Sequence, residues 1–148
     1  MTQWQEKFRA ILSVYLVLQR ENGDVLLLLR KNTWYKDGEY GLPAGHVDGG
    51  EMLQLAMVRE AKEEAGVDVD PSALRLIHTM HRYCGDHERV DFFFVCTEWK
   101  GEPVNTEPEK CGELAWFAPD MLPENTIDYY KHMFHAWQRG ESLSYFGW

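Results

Sequence analysis

Cysteine is scarce in this chain. Cys84, Cys96 and Cys111 are odd in number and widely spaced, which argues against a disulfide framework or a cysteine zinc site and for free thiols in a reducing compartment. Long apolar runs are missing as well. No window of eighteen residues is apolar and free of charge, so no segment reads as a membrane span. The opening MTQWQEKFRA has neither the apolar core nor the small-residue cleavage site of a signal peptide. A cytoplasmic protein without a membrane partner is expected. Positive charge is in deficit, with 15 Lys and Arg against 24 Asp and Glu and a formal net charge of -9. Nucleic acid polymers reward basic surfaces, so none is expected as a partner. A small anionic substrate is compatible with this acidity if divalent cations neutralise both sides. Internal repeats and low-complexity linkers are also absent, so residues 1–148 read as one domain, monomer or homodimer.

What is present is the material of a packed core. Apolar residues make up 45% and aromatic residues 14% of the chain, too much for a disordered one. Residues 10–30 read as a β-hairpin. AILSVYLVLQ and VLLLLR flank RENGD, whose Asn22-Gly23 is a strong type I′ turn signal. A turn-rich, aromatic segment, residues 31–44, leads to a short strand. The segment from Leu53 to Ala65 lacks proline and glycine, is rich in helix formers and is followed by Gly66, a stop signal. Two long apolar strands follow Pro71, ALRLIHTMHRY and RVDFFFVCTEW, separated by a turn. After a polar loop comes the short strand ELAWFA. Ile127, Tyr130, Phe134 and Trp137 then recur at helical spacing up to Gly140. The order β-β-β-α-β-β-β-α implies an α/β fold, a mixed sheet with helices on both faces.

The first helix carries an unusual concentration of acid. Glu60, Glu63 and Glu64 are related by three and four positions and share a face, bordering Leu53 and Met57. Like charges so placed repel, and more strongly near a desolvated seam. One reading is a solvated acidic face balanced by Arg59 and Lys62. The other is a hard divalent cation held by oxygen ligands. The approach GHVDGG supports the second, because its glycines let backbone carbonyls come close to a bound ion.

Gly45, Glu51, Arg59-Glu60-Ala61, Glu63-Glu64 and Gly66-Val67 occupy every fixed position of the pattern G-x5-E-x7-R-E-U-x-E-E-x-G-U, with U an apolar residue. The chain thereby resembles the Nudix hydrolases. The lead-in Leu42-Pro43-Ala44-Gly45 and the order of elements resemble their MutT-like branch. The resemblance implies a Nudix-type α/β/α sandwich whose loop-helix-loop holds Mg²⁺, or Mn²⁺, against the diphosphate linkage of a nucleotide. Glu60 and Glu64, with the carbonyl of Ala44 or Gly45, would be the metal ligands. Glu63 would be a ligand or part of the base machinery, Arg59 would orient the acids, and Glu51 would hold the loop to the helix. The loop GEPVNTE resembles one that carries a catalytic glutamate in MutT-type enzymes and nominates Glu107, which is otherwise a surface acid.

For the substrate, the resemblance suggests Arg30 at the end of the second strand as a phosphate contact, and otherwise a strand-end surface arginine. Trp34, in the loop before the box, is a stacking platform for a base or a rim residue. Asn125 reads a purine edge or caps the helix that starts near Ile127. The expected reaction is hydrolysis of a nucleoside triphosphate to monophosphate and pyrophosphate. Hydrolysis of dinucleoside polyphosphates or nucleotide sugars is the alternative, and a nucleotide sensor without turnover is a third reading.

Overall fold

The first two apolar runs form β1 (Ile11–Leu18) and β2 (Val25–Arg30) in the computed structural model, which describes residues 2–148. The turn falls where expected but is not type I′, which needs positive φ at both Asn22 and Gly23; of the two only Gly23 has it, and the central pair is Glu21-Asn22. Gly23 has a φ of 93°, its N–H donates to the Arg20 carbonyl, and Asn22 Oδ1 accepts from the Asp24 N–H. The hairpin does not continue. Beyond a bridge between Gln19 and Val25 the two strands part into different sheets. The cause lies in the burial of β1, where every residue from Ser13 to Leu18 is buried. A strand buried on both faces needs an apolar layer on each side, and β1 finds them in the middle of a five-stranded sheet.

That sheet has the order β4 (Ala44–His46), β1, β6 (Glu88–Cys96), β5 (Arg75–Tyr83), β8 (Leu143–Phe146). It is mixed: β1 runs parallel to β6 and β5 to β8, while β1–β4 and β5–β6 are antiparallel. A three-stranded antiparallel sheet, β3 (Tyr40–Gly41), β2, β7 (Cys111–Phe117), lies beside it. Alternate residues of the central strands face opposite helices, as the two-residue period of a strand dictates. Val14, Leu16, Leu18 and Phe94 pack with Ala56, Met57 and Ala61 of α1 (Leu53–Ala65). Tyr15, Val17 and Phe93 pack with Tyr130, Met133 and Phe134 of α2 (Asp128–Gln138). The layering is therefore helix, sheet, helix.

The helix α1 has its expected span. Gly66 ends it in the left-handed conformation, φ 70°, with its N–H on the Lys62 carbonyl. The helix α2 is shorter than the expected 127–140, and Asn125 does not cap it. Its Nδ2 donates to the Gly38 carbonyl at 2.9 Å, and its own carbonyl accepts from the Tyr40 N–H. The strand β8 was not expected. It follows the turn at Gly140 and adds to the sheet edge along β5.

Candidate active site

The acidic helix meets the loop before it through Arg59. Its Nε and Nη2 each lie 3.0 Å from an oxygen of Glu51, a two-pronged pairing that holds Glu51 well below the usual carboxylate range. Nη2 also donates to the His46 carbonyl at 3.1 Å, and Nη1 to Glu60 at 2.7 Å, with Glu63 at 3.5 Å. Glu51 in turn accepts from the Asp48 N–H. A guanidinium has five donors in a fixed plane, and here they tie the loop at residues 46–51 to the helix and fix the Glu60 carboxylate.

That carboxylate is pressed against β4. A β-carbon on Gly45 would overlap it. Burial raises the pKa of Glu60 against the pull of Arg59. Glu64, one turn on, accepts from the Ala44 N–H at 3.0 Å. Its pKa rises to about 7, chiefly because it is desolvated, with the charges of Glu60 and Glu107 adding to the shift and the Ala44 N–H and Arg30 opposing it.

Glu64 and Arg30 line two cavities. The first, of about 550 Å³, is also bounded by Thr33, Trp34, Glu107 and Cys111. The second, of about 430 Å³, reaches Ala44 and Gly45 and then runs to Tyr15, Arg82 and Arg89. Four residues singled out from the sequence, Arg30, Trp34, Glu64 and Glu107, thus meet at one cavity, and Ala44 and Gly45 meet Arg30 and Glu64 at the other. Trp34 is fully exposed at its mouth. Asn105 Oδ1 accepts from the Glu107 N–H and its Nδ2 donates to the Cys111 carbonyl, which sets the loop that presents Glu107. Glu63 is turned outward, its side chain 55% exposed. Asn125 borders neither cavity.

The donors fit a hard cation. They are carboxylate and carbonyl oxygens, a glycine opens the space beside Glu60, and the local excess of negative charge is what a cation relieves. Among the described residues no three acidic, histidine or cysteine side chains converge as a ready-made metal cluster. The set is two carboxylates beside β4, held by Arg59 and by the Ala44 N–H.

The second cavity is lined by Arg82 and Arg89, which sequence reasoning missed, as it missed Asp91 buried behind Arg82. Arg82 and Asp91 are 6% and 0% exposed and form an ion pair of 2.8 Å. The signal was there: along β6, Asp91 falls in the same alternation as Phe93 and Val95, on an inward face where an ionisable residue has no place without a partner.

A model of the NUDIX domain matches residues 9–137, and the chain belongs to the Nudix family, in its MutT-like branch. The NAD-capped RNA hydrolase NudC of Stutzerimonas stutzeri is 30% identical over 112 residues, 76% of this chain and 38% of that protein. The 8-oxo-dGTP diphosphatase of Escherichia coli is 25% identical over 91 residues, 62% of this chain and 69% of that protein. The chain thus spans well under half of the first relative's length. The crystal structure of a MutT NUDIX hydrolase from Burkholderia pseudomallei superposes with a TM-score of 0.77 at 26% identity, covering 86% of this chain and 97% of that one. The activities in these names differ, so they choose no substrate for this chain. No helix among the described residues is long and apolar enough to cross a membrane.

Proposed function

We propose that residues 1–148 form one catalytic domain, a Mg²⁺-dependent nucleoside triphosphate pyrophosphohydrolase that acts in the cytoplasm and releases a monophosphate and pyrophosphate. The observation that carries this reading is the position of Glu64 and Arg30 as the common wall of two cavities. A diphosphate linkage laid across that wall has the nucleoside on one side and the outer phosphates on the other.

In this reading Glu60 and Glu64, with the carbonyls of Ala44 and Gly45, hold Mg²⁺, for which Mn²⁺ can substitute. Bound there, the ion neutralises charge on the diphosphate and lowers the cost of ionising an attacking water. Arg59 acts through Glu60 as a positioning residue. Arg30 meets the phosphates, and its Nε–H on the Tyr35 carbonyl at 2.9 Å holds it at the wall. Glu107 faces Glu64 across the first cavity and takes the proton of the attacking water, and Glu63 is the substitute within the helix. Trp34 offers a free ring face on the first cavity, for stacking with a base that lies on that side of the wall rather than in the second cavity. Asn125 is a rim contact at most, since its amide nitrogen is engaged by Gly38.

The test is product analysis. The protein is incubated with Mg²⁺ and canonical, oxidised and methylated nucleoside triphosphates, dinucleoside polyphosphates and nucleotide sugars. Pyrophosphate from triphosphates supports the proposal. Turnover confined to dinucleotides or nucleotide sugars moves the assignment to that class. Tight binding without turnover identifies a sensor.

A further inference from the structure

Arg82 and Arg89 are directly opposed on β5 and β6, and both line the second cavity. We propose that they form a donor-only wall that selects a keto purine, guanine over adenine, and unoxidised guanine over 8-oxoguanine. The proposal rests on the reading of the site as a nucleotide site.

Both arginines are fixed by partners that leave a terminal N–H for a ligand. The Asp91 carboxylate, fully buried, accepts from Arg82 Nε at 2.8 Å and from the Tyr15 hydroxyl at 2.8 Å, and that hydroxyl accepts from Arg82 Nη2 at 3.3 Å. The guanidinium lies over the Tyr129 ring, 3.8 Å from its centre. Arg82 Nη1 has no hydrogen-bond partner among the described residues. Since no sealed side-chain nitrogen or oxygen lacks a partner there, Nη1 reaches open space. Arg89 has no carboxylate within ion-pair distance among the described residues. Its Nε donates to His87 Nε2 at 3.1 Å, and its Nη1 donates to His46 Nε2 at 3.0 Å and Ser13 Oγ at 3.3 Å, leaving Nη2.

A guanidinium can only donate. Each histidine must therefore turn an unprotonated Nε2 to Arg89 and carry its proton on Nδ1, which His87 donates to Asp86 at 2.6 Å. The acceptor nitrogens of both histidines are used up, and so are the oxygens of Asp91. What the two arginines offer the cavity is N–H groups, beside the Ser13 and Tyr15 hydroxyls, whose oxygens already accept from them.

Such a wall bonds acceptors and opposes donors. The major-groove edge of guanine shows O6 and N7, two adjacent acceptors, whereas adenine places its N6 donor beside N7 and cytosine shows its N4 donor. Oxidation at C8 converts guanine N7 into an N–H, so 8-oxoguanine brings a donor to the same place. An anionic group is also free of donors. The neighbouring ring of Tyr35, 47% exposed, favours a base.

The experiment is calorimetric binding of dGMP, dAMP and 8-oxo-dGMP, with Mg²⁺, to the wild-type protein and to Arg89→Gln. Monophosphate binding reports on the cavity whether or not triphosphates are turned over, so failure of the hydrolysis reading shows separately in the product analysis. The expected result is dGMP tighter than dAMP and 8-oxo-dGMP by about tenfold or more. In Arg89→Gln that preference should vanish or turn toward dAMP, because glutamine pairs with the mixed edge of adenine. Equal affinity for dGMP and dAMP, or tighter binding of 8-oxo-dGMP, in the wild type overturns the proposal even if the variant does not fold. Equal affinity for all three, weakened together by Arg89→Gln, means an anion site and overturns it too.

Discussion

At the scale of single residues, Gly45 shows how a backbone position can be required by a side chain fifteen residues further along the chain. Its conformation is not one that needs glycine; the overlap of an added β-carbon with the Glu60 carboxylate is what excludes other residues. Gly45→Ala should therefore displace Glu60, with an overpacking cost of about 1 to 3 kcal/mol, read as a Tm several degrees lower. Adding Glu60→Ala should recover the Tm but not turnover, since the two sites share one contact. Recovery of turnover as well would remove Glu60 from the metal set. Glu107 calls for a matched control. Glu107→Gln should lower kcat by about 10²-fold or more with KM little changed, while Glu109→Gln, the same charge change two residues on, should leave both parameters near wild type. Equal losses in the two variants would point to loop electrostatics instead. The box residues were legible in the sequence because their chemistry depends on local spacing along one helix. Arg82 and Arg89 were not, because what makes them a pair is β5 lying against β6, a contact that no local spacing records.

Among the elements, α1 was legible to the residue. Its helix formers, the absence of breakers and the glycine after it act locally. The strands were legible as strands but not in their partners, and β1 and β2 followed the burial of β1 rather than the turn between them. The strand β8 escaped notice because four residues, partly exposed, carry too little pattern. It is held instead by His78, which sits beside a bulge in β5 and is 1% exposed. The Glu141 carbonyl lies 2.9 Å from Nδ1, so Nδ1 carries the proton, and Nε2 accepts from the Ser144 hydroxyl at 2.7 Å. Burial lowers the pKa of His78, against the pull of that carbonyl. In the unfolded chain the ring returns to its ordinary value near 6.5. Below that pH the unfolded state binds a proton that the folded state refuses, so this part of the stability is complete above about 6.5 and is lost as pH falls toward the folded pKa. Denaturant titrations between about pH 5 and 8 should show that loss in the wild type and a flatter profile in His78→Gln. Identical slopes would remove His78 from the coupling.

The molecule as a whole carries a formal charge of -9 and concentrates acid on the very helix that borders its cavities. Self-repulsion of that kind is relieved by whatever cation binds. Mg²⁺ at millimolar concentration should raise the Tm, and a non-hydrolysable nucleotide should raise it further, because ligands that bind only the folded state stabilise it by mass action. A melting curve indifferent to Mg²⁺, EDTA and nucleotide together would leave the site without a functional metal. The fold itself sets the stage: β1, β5 and β6 supply Tyr15, Arg82 and Arg89 to the second cavity, beside Tyr129 and Tyr130 of α2.

The shared wall of Glu64 and Arg30 also bears on the order of events after hydrolysis. In the proposed reaction the monophosphate and the pyrophosphate lie on opposite sides of that wall, in cavities whose linings share only Arg30 and Glu64. Departure should accordingly be random rather than ordered. Pyrophosphate and monophosphate should each inhibit on their own, and both together should occupy the enzyme as a dead-end ternary complex. Mutually exclusive inhibition in a double-inhibitor plot would mean that the two chambers share a single exit.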